Sequence, residues 1–104
     1  MSDFKGTPGP WFAYREGFST VYVEAKLRDG VIQEVAACGP TEAGQESQSA
    51  NANLIAAAPE LLEACLRIQS QFRQAGVKPK AGSLNPIEDN AAQIDAAIDK
   101  ALGQ

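Results

Sequence analysis

Six side chains hold most of the binding chemistry this chain can offer a small ligand. Arg15, Arg28, Arg67 and Arg73 carry planar guanidinium forks that can meet two oxygens of one phosphate at once. Tyr14 and Tyr22 offer an aromatic face with a phenol that can stay half-exposed and still hydrogen-bond. Arg67 and Arg73 belong, with Lys78 and Lys80, to the one basic run of the chain, since no acid occurs between residues 64 and 87. A nucleotide-type ligand would ask for such a set: donors for phosphate, a platform for a base, and walls that exclude water. The competing reading of each basic residue is a solvated surface position. Asn51, Asn53 and Gln69 could read base edges, or cap helices and face solvent.

Other chemistries have little to work with. The chain has no histidine, which removes the commonest general base and a major zinc ligand. No glycine-rich loop has the spacing that cradles phosphates. Cys38 and Cys65 lie far apart and form no metal-binding or redox pair, so they read as free buried thiols. Ser47 and Ser49 have no base to activate them. The carboxylate pairs Glu60/Glu63, Glu88/Asp89 and Asp95/Asp99 read as solvated helix faces. The expectation is a protein that is not an enzyme, with no catalytic residues, no cofactor and no metal.

The elements that must position the six residues follow from periodicity. "GTPGP" (6–10) is turn-rich, and its prolines cannot donate to a sheet, so a strand can begin only near Trp11. "WFAYRE" (11–16) is short and aromatic. "STVYVEAKL" (19–27) alternates, with Val21, Val23, Ala25 and Leu27 on one face and Tyr22, Glu24 and Lys26 on the other. "RDG" signals a hairpin turn and "VIQEVAAC" (31–38) the return strand. Residues 11–38 therefore read as a three-stranded antiparallel meander, and "GPTEAGQESQS" (39–49) as a polar loop. Trp11 reads as an anchor of the core.

Two helical segments follow. Leu54, Ala58, Leu61, Cys65, Ile68 and Phe72 keep a heptad seam, with a second stripe at Ile55, Leu62 and Leu66. Gly76 is a natural stop. Asn85 and Pro86 read as cap and first residue of a second helix, whose own seam runs from Ile87 to Ala101. The fold class is α+β: a meander, then an antiparallel helical hairpin over 49–75 and 86–102, within one domain of 1–104. Pro59 is the irregularity. It could open a new helix after a break near Ala58, or sit in one helix that kinks. The seams stay in phase across it, which favours one kinked helix. Such a kink would free the Ile55 carbonyl, which could then face a ligand.

Bulk properties narrow the partners. The chain has 104 residues and a net charge of −4. That balance argues against a nucleic-acid footprint, because phosphate neutralisation needs Lys and Arg. No apolar run approaches the roughly 18 residues of a membrane span, and "MSDFKGTPGPW" lacks the apolar core of a signal peptide. A cytoplasmic protein is expected. A chain this short, with two helical seams and a sheet face to cover, is expected to form at least a dimer.

"TPGPW" at 7–11 with "ANANLIAAAPELLEA" at 50–64 resembles small accessory proteins of bacteriophages and prophages, which pair T-P-G-P-W with a later A-N-A-x-L-I-A-A-A-P-E-L-L-E-A. The matching segments cover about a fifth of the chain. The resemblance implies a phage-encoded protein in the cytoplasm of the infected bacterium, and it supplies no catalytic residue. The architecture is also similar to phage sponges that sequester the nucleotide signals of defences such as Thoeris or CBASS. That similarity implies capture of a cyclic nucleotide or cyclic ADP-ribose-type signal by a homo-oligomer, with Arg15, Arg28, Arg67, Arg73, Tyr14 and Tyr22 as candidate contacts. The alternatives are an acidic inhibitor that binds a host defence protein, in the manner of an anti-CRISPR decoy, and a structural accessory protein.

Overall fold

The strand β2 (Thr20–Lys26) shows most directly how the sequence builds the fold. Val21, Val23 and Ala25 are buried, while Tyr22, Glu24 and Lys26 point the other way. The computed structural model describes residues 4–104. They form two compact units, Gly6–Glu60 and Leu61–Gln104, the latter with Phe4 and Lys5.

In the first unit, β1 (Trp11–Glu16), β2 and β3 (Ile32–Cys38) form an antiparallel sheet in the order β1-β2-β3. This is the expected meander. The turn between β2 and β3 closes through the Leu27 N–H donating to the Val31 carbonyl at 2.7 Å, and Asp29 takes a positive φ of 72° there. Short polar side chains tolerate that conformation better than most, which is why Asp-Gly marks such turns. Helix α1 (Gln45–Ala56) packs across all three strands. The core centres on Val21, Val23 and Ala52, with Trp11, Val35, Ala36, Cys38, Ile55 and Ala56 packed around it. Trp11 thus anchors the core, and its indole N–H donates to the Thr7 carbonyl at 3.1 Å.

The polar stretch read as a loop to residue 49 turns helical at Gln45, because Gln48 is a core residue. Its side chain is 1% exposed. Its amide nitrogen donates to the Ser19 and Cys38 carbonyls, each at 2.8 Å, where the sheet's own ladder ends. A buried amide so satisfied is as much a packing element as a leucine.

The helix expected over 49–75 is also two helices. α1 ends at Ala56 and α2 spans Ala58–Gln74, with Ala57 between them. Pro59 therefore lies in the first turn of α2, where a backbone N–H has no intrahelical acceptor to lose. Only one residue intervenes and it stays near helical geometry (φ −82°, ψ −6°), so the apolar seams remain in phase across the break. The N–H groups at the end of α1 reach the Asn53 and Ile55 carbonyls. The Ile55 oxygen is thus engaged by backbone.

In the second unit, α2 and α3 (Pro86–Ala101) form the helical hairpin. α2 stops at Gly76: the Gly76 N–H donates to Arg73 and the Val77 N–H to Phe72, the paired bonds of a Schellman cap. Asn85 caps α3 by accepting from the Ile87 N–H at 3.0 Å, with Pro86 at the first position. Ala91 and Ile98 are buried. The Gln69 amide donates to Asp95 at 2.7 Å across the two helices. Three carboxylates read as solvated outer faces are structural instead. Asp95 takes that bond, Glu88 accepts from the Ser83 hydroxyl at 2.6 Å, and Asp89 accepts from the Gly82 N–H at 2.9 Å. Half-buried, they tie the hairpin and its connecting loop together.

Candidate binding surface

α1 covers one face of the sheet. The residues of the other face include Phe12 and Tyr14 on β1, Tyr22, Glu24 and Lys26 on β2, and Ile32 and Glu34 on β3. Register places them in rows. Tyr14 lies opposite Tyr22, Phe12 opposite Glu24, Glu24 opposite Glu34, and Lys26 opposite Ile32. Phe12 and Tyr14 are each 52% exposed and Ile32 is 55% exposed. A depression of about 280 Å³ opens among Phe12, Tyr14, Glu24, Lys26 and Ile32. Half-exposed aromatics lying in register are a concentration of apolar area that a domain this small would gain by covering.

The electrostatics of the face are acidic. Glu24 and Glu34 lie directly opposite each other across two strands, and among the described residues neither has an ion-pair partner. Like charges so placed destabilise a sheet by roughly 0.2–1 kcal/mol. Lys26 is the cation lining the depression.

The structure brings Tyr14 and Tyr22 together as a cross-strand pair; Arg15 and Arg28 belong to the sheet unit, Arg67 and Arg73 to the helical unit. Arg15 is paired with Val21, so it points to the opposite face, toward α1. Its Nη2 donates to Ser49 Oγ at 2.8 Å, Gln48 Oε1 at 3.0 Å and the Gln45 carbonyl at 3.3 Å. Its Nη1 is buried without a hydrogen-bond partner. This cation fastens β1 to the first turn of α1, with the sheet between it and the tyrosines. Arg28 is exposed in the β2–β3 turn. Arg67 is exposed and forms an ion pair with Glu63 one helical turn away, at 2.6 Å. Arg73 lines an open depression of about 430 Å³ on α2 with Leu66, Gln69, Ser70 and Gln74.

Of the other candidates, Asn51 and Asn53 are exposed and the Gln69 amide is spent on Asp95. Cys38 and Cys65 are free and half-buried. Among the described residues no cluster of three or more His, Cys, Asp or Glu could hold a metal ion.

Sequence reasoning missed Phe12, Glu24, Ile32 and Glu34 as site residues. The alternation of β2 did place Glu24 and Tyr22 on one face. The partners across β3 depend on a bulge that alternation does not reveal.

The family model of Salmonella phage P22 protein Y8K6 matches residues 1–104. The chain belongs to that family. It is therefore a phage-encoded accessory protein. No curated protein and no solved structure gives a significant match. Among the described residues of the phage protein, no helix is long and apolar enough to cross a membrane.

Proposed function

We propose that this phage protein acts by non-catalytic binding, and that it captures another protein on the open face of its sheet. What carries the reading is one arrangement: half-exposed Phe12, Tyr14 and Ile32 in register around the unpaired carboxylates Glu24 and Glu34. The apolar side chains supply area and the carboxylates supply specificity, as at the centre and rim of protein interfaces. The net charge of −4 fits an acidic protein-binding inhibitor, directed at a host defence component or at another factor in the infected cell.

Sequestration of a cyclic nucleotide or cyclic ADP-ribose-type signal is the second reading. The Tyr14–Tyr22 pair favours it, because two aromatic rings in register are a platform for a base. Stacking contributes about 1–3 kcal/mol per base. A phosphate near Glu24 or Glu34 meets a repulsion of about 1–4 kcal/mol at 4 Å in surroundings between water and protein surface. Within one chain the two effects offset each other. A sponge would need cations on the tyrosines, and Arg15 is held on the opposite face of the sheet.

Thermal melting with and without cyclic dinucleotides and cyclic ADP-ribose isomers separates the readings. A ligand that binds the folded state stabilises it by RT ln(1 + [L]/Kd), about 2.7 kcal/mol at a hundredfold excess over Kd. Protein capture predicts an unchanged melting temperature with every nucleotide. A stabilisation that Tyr14→Ala or Tyr22→Ala abolishes would put the sponge reading first.

A further inference from the structure

The acidic pair on the open face is a product of strand register. Cys38, Ala37 and Ala36 of β3 pair with Val21, Tyr22 and Val23, whereas Glu34, Gln33 and Ile32 pair with Glu24, Ala25 and Lys26. Val35 is the extra residue between the two runs, a β-bulge, and it packs against the core. Had the register of Cys38 continued without a bulge, Val35 would stand opposite Glu24 and Gln33 opposite Lys26. The bulge replaces that pair with Glu34 and Ile32. It puts a carboxylate opposite Glu24 and moves the apolar side chain beside Lys26, in the way bulges re-aim side chains beside binding sites.

Side chains directly opposite in an antiparallel pair have Cβ atoms roughly 4.5–5.5 Å apart. A cation between Glu24 and Glu34 would replace their repulsion with two charge-assisted hydrogen bonds. Phe12 ends the same row, opposite Glu24 on the neighbouring strand, within reach of a long cationic side chain seated on Glu24. A guanidinium or ammonium group there gains a cation–π contact as well. Tyr14 and Ile32 flank the row with apolar surface.

We propose that the open face docks a basic, apolar-flanked segment of another protein, with one arginine or lysine of that segment seated between Glu24 and Glu34 beside Phe12. The inference rests on reading this face as a protein-binding surface, and charge complementarity selects the occupant. Nucleic acid and anionic lipid carry the wrong sign. A second copy stacked face to face would oppose two acidic faces, each with Lys26 against two carboxylates.

The test uses the full isotope-labelled chain and a short synthetic peptide alternating leucine and arginine, with a leucine–glutamate peptide as control. Amide shifts should map to Phe12, Tyr14, Glu24 and Ile32 with the basic peptide alone. The double variant Glu24→Gln/Glu34→Gln should bind about tenfold more weakly or worse. Glu42→Gln/Glu46→Gln removes the same charge from exposed positions off the sheet and should bind like wild type. Melting curves check that both variants fold, and the sheet variant should melt no lower than wild type. Shifts mapping elsewhere, equal binding by the sheet variant, or equal weakening by the control variant would overturn the proposal. Absence of peptide binding would overturn it too. The broader reading would survive that failure if Ile32 still contacts a protein in infected cells.

Discussion

Gly9 packs directly against Pro59. A Cβ built on Gly9 would stand 2.8 Å from the Pro59 Cβ, closer than side chains approach, and 3.1 Å from its Cγ. The two motifs that carry the family resemblance therefore touch, and Trp11, two residues on, packs into the same core as Ile55 and Ala56. The motif pair is a structural joint between the start of the sheet and the α1–α2 junction. Gly9→Ala should cost about 1–3 kcal/mol by overpacking. The cost should fall by more than half in a Pro59→Gly background, since that change removes both the Cβ and the Cγ that a Gly9 Cβ would meet. Denaturant titration of the four proteins in that cycle measures the coupling. Additive costs would show that the contact is slack.

Gln48→Leu should destabilise the sheet unit despite filling similar space. It strands the Ser19 and Cys38 carbonyls and removes one acceptor from Arg15. Each buried group left unsatisfied costs about 1–3 kcal/mol. Urea unfolding should show a midpoint well below wild type. A neutral effect would mean that water replaces the amide.

The four arginines should separate by role. Arg15→Ala should lower stability by about 1–3 kcal/mol, because it removes the bonds from β1 to Ser49 and Gln48. Arg28→Ala, Arg67→Ala and Arg73→Ala should each change it by about 0.5 kcal/mol or less, as expected at exposed positions. Melting temperatures of the four variants decide. A drop at Arg67 comparable to that at Arg15 would contradict the assignment.

What the sequence made legible follows the physics of local pattern. The alternation of β2, the Asp-Gly turn, the Asn85-Pro86 cap and the Gly76 stop are written in adjacent residues, and each lies where it was expected. Gln48 was hidden because a polar run looks the same whether its amide is solvated or bonded to strand-end carbonyls. The division at Ala57 was hidden because one near-helical residue leaves both seams in phase. The pairing of Glu24 with Glu34 was hidden because it depends on a bulge at Val35, which is decided by core packing across three elements.

Assembly through α2 is a separate expectation. Leu61 and Ile68, one heptad apart, remain 49% and 39% exposed, while Leu62 and Leu66 of the second stripe are half-buried within the chain. A homo-oligomer should therefore use the Leu61–Ile68 stripe, in the manner of a coiled-coil seam. Light scattering at micromolar concentration should give more than the 11.0 kDa of one chain. Leu61→Glu/Ile68→Glu should return it to a monomer with the sheet unit intact. A wild-type monomer would remove both the oligomer and the sponge reading that depends on it.

The most direct test of capture by the open sheet face is site-specific photocrosslinking in infected cells. A photoreactive residue replaces Ile32 on that face in one protein and Glu46 on α1 in another. Position 32 should form an adduct with a discrete protein species, the adduct should disappear when Phe12→Ser and Tyr14→Ser are added, and position 46 should not form it. An adduct at 46 and none at 32, or an adduct at 32 that survives loss of both aromatics, would contradict binding through this surface.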